Sequence, residues 1–354
     1  MNTRYGTSRA DLGALLAEWG QPRYRADQVW DALYRQQMTL DDATALPRAL
    51  RERLADALPL ALEPITETTA HDGMTSKWLW SCRRDGAQIE TVLMRYPERA
   101  TVCVSSQAGC AMGCTFCATG QAGFERHLDA GEILEQVVRA GHASPQRVSN
   151  VVFMGMGEPL ANYDQTWSAV ERIHHDLGLS ARRITVSTVG VAPGIRRLAH
   201  EDLPVTLAVS LHAATDAERD ELVPLNRRYP IAEVLDAAAE FAGAKGRRVT
   251  FEYACIEGVN DSPAQAEALG RLLGAFPGVG GAHVNLIPLN ATDGFGGHAP
   301  PGPSLRAFAD RVRGHGVTAT VRRNRGTDIA AACGQLRSRV AIPRASAPSA
   351  TMGL

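Results

Sequence analysis

Apolar residues recur at helical spacing early in the chain and change to strand-like runs near residue 66. Leu12, Leu15, Leu16 and Trp19 share one helical face, as do Val29, Trp30, Leu33 and Tyr34. Pro22 and Pro47 separate these pieces. Residues 1–65 thus read as a small helical N-terminal unit. Strand-like segments follow at 76–81, 88–95 and 101–105, with turns at Gly73 and Gly86, so 66–101 reads as a strand-rich connecting extension. Strands and helices then alternate. Core strands are predicted at 102–106, 150–156, 183–188, 205–212, 248–255 and 283–288, and helices at 130–140, 163–177, 195–199, 231–244 and 264–273. Strands joined by right-handed helical crossovers form a parallel α/β sheet, open or curled into a partial barrel. Ligands then bind at the carboxyl ends of its strands. A last helix at 305–313 and strand at 317–322 precede Cys333, and 341–354, rich in Ala, Ser and Pro, reads as a disordered tail. No internal repeat is visible.

Composition narrows the class. The 354 residues are 45% hydrophobic and 21% charged, ordinary for a globular chain with one large core and a smaller unit. No apolar run approaches the ~20 residues of a membrane span. Residues 1–10 are polar, without the apolar stretch of a secretory signal. Seven cysteines in that context read as reduced metal-binding or catalytic thiols, not a disulfide framework, and the expected location is cytoplasmic. The formal net charge of −1 gives no overall pull toward polyanions. Locally, Arg311 to Leu354 carries eight arginines against one acid, Asp328. That segment suits phosphate contact, or is a solvated basic tail. Lys77 and Lys245 are the only lysines, so the choice of arginine by itself carries little information.

The chemistry is concentrated in Cys110, Cys114 and Cys117, a C-x3-C-x2-C array within residues 105–120. It lies just after the first core strand, where a parallel α/β fold places its active site. Three buried small residues on one helix face would show the same spacing, but Gly109, Gly113 and Gly120 interrupt such a helix. A structural zinc site would want a fourth ligand at similarly local spacing, and Cys103, on a strand, is a poor one. Three thiolates suit a four-iron cluster with one iron left open. That iron can hold a small chelating molecule such as S-adenosylmethionine and pass it an electron, which makes a radical generator.

This window resembles the radical S-adenosylmethionine superfamily. The stretches 103–124, 153–160, 184–190, 207–213, 284–290 and 320–336 resemble, more narrowly, the RlmN family, which methylates adenine in RNA. The resemblance runs from about residue 70 to 340, and the segment Val321-Arg322-Arg323-Asn324-Arg325 through Cys333 to Leu336 separates this family and its Cfr-type sister from the wider superfamily. It implies a partial (β/α)6 barrel over 102–340; residues 1–65, mixed in charge, read as an RNA-binding accessory domain or as a packing cap on the core. It implies a [4Fe–4S] cluster on Cys110, Cys114 and Cys117. Gly157, Glu158, Ser187, Ser210, Leu211, His212 and Asn290 match positions that surround S-adenosylmethionine.

The resemblance also implies a mechanism. An aromatic carbon such as position 2 of adenine cannot attack a sulfonium methyl, whereas a thiolate can. Cys333 takes a methyl from one S-adenosylmethionine. A radical from a second takes a hydrogen from that methyl, and the resulting carbon joins the base. Cys103 then attacks the Cys333 sulfur, leaving a methylated base and a disulfide that an external reductant resets. Glu90 matches the position of the proton acceptor. On their own residues, Cys103 and Glu90 read as a buried strand cysteine and an outward strand carboxylate. Cys82 and Cys255 read as core residues.

The expected partners are 23S rRNA, tRNA and an electron donor such as flavodoxin or ferredoxin. The expected target is carbon 2 of adenine 2503 in 23S rRNA and of adenine 37 in tRNA. Alternatives are Cfr-like methylation of carbon 8, another radical enzyme, or an electron-transfer protein. Arg322, Arg323 and Arg325 are placed for phosphate contact. The loop after Asn290 lacks the proline-rich run of the family. Nothing in the sequence calls for more than a monomer.

Overall fold

The structure, a computed structural model, describes residues 2–336. The tail at 341–354, with Arg337, Arg339 and Arg344 of the basic segment, lies outside the described residues. Three helices come first, α1 (Arg9–Glu18), α2 (Tyr24–Trp30) and α3 (Arg48–Ala57). An antiparallel run follows: β1 (Leu62–Thr69), β2 (Thr75–Cys82), β3 (Gln88–Tyr96) and β4 (Arg99–Cys103). β1 begins inside the stretch read as helical. It is a mostly exposed edge strand with a register shift after Pro64, so no apolar alternation announces it.

Next come a hairpin, β5 (Gln107–Gly109) and β6 (Phe124–His127), and the short helix α4 (Ala118–Ala122) between its strands. Strands of three and four residues are too short to show a period, and the sequence reading passed over both. The alternating part then runs α5 (Ala130–His142), β7 (Val148–Phe153), α6 (Tyr163–His175), β8 (Ile184–Thr188), α7 (Ala192–His200) and β9 (Thr206–Ser210). It continues with α8 (Asp216–Leu222), α9 (Ile231–Lys245), β10 (Val249–Cys255), α10 (Pro263–Gly274), β11 (Ala282–Pro288), α11 (Gly302–Arg313) and β12 (Thr318–Val321).

Ten strands form one sheet, ordered β1-β2-β3-β4-β7-β8-β9-β10-β11-β12. From β4 to β12 every neighbour is parallel and next in order along the sheet. Right-handed crossovers between sequential strands stack their helices on one face. That is the progression of a barrel, not of a doubly wound sheet. The six expected core strands are all present, and the expected segment at 317–322 joins the sheet as β12. Cys82 and Cys255 are fully buried, as expected of core residues.

The N-terminal helices share one hydrophobic cluster with the sheet. Arg172 on α6 anchors them. Its guanidinium donates to the carbonyls of Tyr5 and Thr7 and to the Tyr34 hydroxyl, and it lies over the Trp30 and Tyr34 rings. Glu135 on α5 accepts the amides of Ala61 and Leu62 at 2.7 and 3.1 Å, fixing where the helical unit passes into β1. R172A leaves three partly buried acceptors without their charged donor, and is expected to lower the urea unfolding free energy by about 2 kcal/mol. R48A, which removes only the exposed pair with Glu52, is expected to leave the urea midpoint unchanged.

Candidate active site

The carboxyl ends of the parallel strands enclose a cavity of about 170 Å³. Cys110, Cys114 and Cys117 line one side. Gly157, Glu158, Ser187, Ser210, His212 and Asn290 also reach the wall, and so does Cys333. Leu211 does not: it is fully buried, its amide donating to Glu252 O and its carbonyl accepting from Arg219. The triplet sits in the loop between β5 and α4. Gly109 shapes its entry with φ +73°, and a Cβ there would stand 2.1 Å from the Gly123 carbonyl oxygen. Gly157 has φ +101°, and a Cβ there would meet the Gln107 side chain at 2.5 Å, so the backbone itself forms the wall.

The wall is braced from behind by charges taken out of water. Both Glu158 oxygens accept backbone amides, from Leu160 at 2.9 Å and Val189 at 2.8 Å. Burial outweighs those bonds and pushes its carboxyl up to about 7. His212 is held in left-handed backbone at φ 62°, and its Nδ1 accepts the Ala254 amide at 3.0 Å. Burial drives its pKa down to about 3, so the ring is a neutral imidazole. Arg219 on α8, fully buried, donates to the carbonyls of Val189, Ser210 and Leu211 and to Asn226. It ties the ends of β8 and β9 together. Sequence reading missed it because α8 has an ordinary charged surface composition.

A second, smaller cavity of about 40 Å³ adjoins the first. Cys103 lines it, and Cys333, Arg322, Met154 and Ile287 line both cavities. The structure thus brings the distant pair, Cys103 and Cys333, to one place. Both are free thiols. Burial first, and then the neighbouring Cys333, push the Cys103 thiol up to about 12. Burial likewise pushes Cys110 up to about 12 and raises Cys114. Arg322, expected at a phosphate, instead faces both cavities, its charge reinforced chiefly by Cys333. It turns inward because its amide extends the pairing of β12 with β11 through the Leu286 carbonyl.

Hydrogen bonds to backbone carbonyls hold the Cys333 segment across the strand ends. Asn290 Nδ2 donates to the Cys333 carbonyl at 2.9 Å, the Ala118 amide to the Gly334 carbonyl at 2.8 Å, and Thr119 Oγ1 to the Leu336 carbonyl at 2.7 Å. Glu90 lines neither cavity. Its side chain is buried and not outward-facing, 2.8 Å from Lys77 Nζ. On β3 it shares a face with Val92 and Met94, which line the second cavity.

The donor set fits a cluster with a chelated organic ligand. Three soft thiols share one wall. Asn290 Oδ1 and Glu252 Oε2 belong to residues on the same cavity wall, are buried, and have no hydrogen-bond partner among the described residues, as acceptors awaiting a ligand do. Among the described residues no three His, Cys, Asp or Glu side chains converge on a single metal ion. Glu158 also sets a pH test. It keeps its proton up to about pH 7, whereas an ordinary glutamate releases it near 4.5, so ionisation costs fold stability across that window. In the cluster-free protein, the melting temperature of the parent is expected to fall more steeply from pH 5 to 7.5 than that of E158Q, as read by calorimetry. A steeper fall in E158Q would contradict this.

Comparison with known proteins agrees with this arrangement. A family model described as the Radical SAM superfamily matches residues 104–268. A probable dual-specificity RNA methyltransferase RlmN of Parafrankia sp. is 54% identical over 351 residues, covering 93% of this chain and 90% of that one. A relative of the same description in Corynebacterium diphtheriae is 52% identical over 342 residues, covering 92% of each. The crystal structure of a radical SAM methyltransferase from Sphaerobacter thermophilus superposes with a TM-score of 0.89 at 49% identity, over 95% of this chain and 99% of that one. Identity at this level over nearly the full length of both partners goes well beyond a shared fold. The chain belongs to the RlmN family of the radical S-adenosylmethionine superfamily.

Proposed function

We propose that this protein methylates carbon 2 of adenine 2503 in 23S rRNA and of adenine 37 in tRNA, using Cys333 as methyl carrier and Cys103 to release the product. The observation that carries this is the shared position of Cys333, on the wall that holds the cysteine triplet and on the wall that holds Cys103. The description of the relatives as dual-specificity RNA methyltransferases supports RNA as the substrate.

Cys110, Cys114 and Cys117 would hold a [4Fe–4S] cluster with one iron left for S-adenosylmethionine. Gly157, Glu158, Ser187, Ser210, His212 and Asn290 would surround that ligand, and Leu211 would support the wall from behind. When bound, these groups supply the methyl, the hydrogen-abstracting radical and a place for the surplus electron. The protein supplies the carrier. Arg322 lines both cavities beside Cys333, whose sulfur takes the methyl as a thioether. Cys103, buried and protonated at rest, is the poorer nucleophile, so the two thiols act in order. In the last step a bond forms between Cys103 and Cys333 sulfur while the Cys333 sulfur–carbon bond breaks. The electron pair passes to the carbon, which picks up a proton and leaves as the methyl of the base. Glu90 takes the proton that the ring carbon gives up. A reductant then resets the disulfide.

Arg323 and Arg325 line the second cavity beside Tyr96, where Arg325 and Arg99 lie 4.5 and 4.3 Å from the ring centre. These cations suit the phosphates flanking an extruded base. No helix among the described residues is long and apolar enough to cross a membrane. The need for a reductant such as flavodoxin or ferredoxin, and for ribosomal and transfer RNA, favours the cytoplasm.

The test is anaerobic turnover with ribosomal and transfer RNA, followed by mass spectrometry of the nucleosides. 2-Methyladenosine is expected with the parent and no methylated adenosine with C333A. 8-Methyladenosine would move the assignment to the Cfr-type carbon, and methylated product from C333A would overturn the carrier role.

A further inference from the structure

Lysine is rare here: lysines and arginines together number 37, yet only Lys77 and Lys245 are lysines. Lys77 stands on β2, a strand that contributes no residue to either cavity wall. Its register pairs it with Val92, while Leu79 pairs with Glu90. Directly paired residues share a face of the sheet. Lys77 and Glu90 therefore lie on the face from which Val92 reaches the second cavity.

The ammonium has two acceptors on different elements. Nζ is 2.8 Å from Glu90 Oε1, with the two side chains only 14% and 3% exposed, and it donates to the Ala330 carbonyl at 3.1 Å. Ala330 lies three residues ahead of Cys333 and has φ 50°, a left-handed conformation that costs a residue with a Cβ. Such backbone persists where its surroundings over-determine it. A cation with several donors can join a carboxylate to a carbonyl on another element. Removing the ammonium would leave the Glu90 carboxylate buried without this cation and free the Ala330 carbonyl.

We propose that Lys77 is a positioning residue that couples the base to the carrier. One ammonium holds the Glu90 carboxylate in place for proton acceptance and pins the backbone of the Cys333 segment, so that base and carrier hold one fixed relation. This rests on the roles given above to Cys333 and Glu90.

The test uses cluster-reconstituted, full-length K77M, K77R and E90Q. Three quantities are read: iodoacetamide alkylation of Cys333 without RNA, mapped by peptide mass; the fraction of methylated Cys333; and methyl transfer to RNA. K77M is expected to alkylate Cys333 roughly 5-fold faster than the parent, because the segment is unpinned. It should still load methyl on Cys333 while transfer falls about 100-fold, the scale of losing an effective base. K77R should bring alkylation and transfer back to within about 5-fold of the parent, since it retains the charge and donors. E90Q should lose transfer with alkylation unchanged. The proposal is overturned if K77M matches the parent in alkylation and transfer. It is equally overturned if K77M loses cluster, loading and melting temperature together with no recovery in K77R, which is a purely structural role. A parent that loads no methyl on Cys333 refutes the proposed function instead, and the alkylation rates still decide whether Lys77 pins the segment.

Discussion

The Cys333 segment must stay fixed while its sulfur serves two neighbouring spaces. Its backbone is bonded to the loop after β11 through Asn290 and to the start of α4 through Ala118 and Thr119. Those anchors belong to the walls of the first cavity or to the helix that Cys117 caps. A change in the triplet loop would therefore move Cys333. Arg322, just past the end of β12, lines the same two cavities as Cys333. The remaining site groups are arranged around this fixed thiol.

Fixing it depends on charges that the fold keeps out of water. Glu158, His212, Arg219 and Glu252 are all buried near the strand ends. Each bonds to neighbouring backbone or side-chain groups, and burial shifts the pKa of each away from its charged form. The fold accepts this cost around the strand ends that enclose the first cavity, and once more at Glu135, which is buried where β1 begins. The wall is thereby preorganised, with Ser187 and Ser210 held beside carbonyls that Arg219 has already engaged. Asn290 Oδ1 and Glu252 Oε2 are the exceptions, with acceptor capacity still open on the cavity wall.

What the sequence disclosed depended on how local each signal was. The triplet was legible because its three thiols lie within eight residues, and the core strands because their apolar runs stand between turn residues. Ser187, Ser210 and Asn290 were legible as polar ends of those strands. The edge strand β1 and the hairpin of β5 and β6 were not, since neither carries an apolar period. Lys77 was invisible as a site residue because one of its acceptors is 253 positions away. Arg219 looked like helix surface, and Arg322 like one more cation in a basic run. Only the closing of the sheet turns those two inward. The meeting of Cys103 with Cys333 was a matter of resemblance in the sequence and is a matter of geometry in the fold.

The central claim is that carbon passes to the base through the sulfur of Cys333 and is freed by Cys103. Its most direct test is anaerobic turnover of C103A with RNA and S-adenosylmethionine, followed by protease and nuclease digestion. The account predicts an adenosine joined through a single methylene carbon to the Cys333 peptide, accumulating because nothing displaces it. Release of methylated RNA by C103A at the parental rate, or an adduct on any residue other than Cys333, would contradict it.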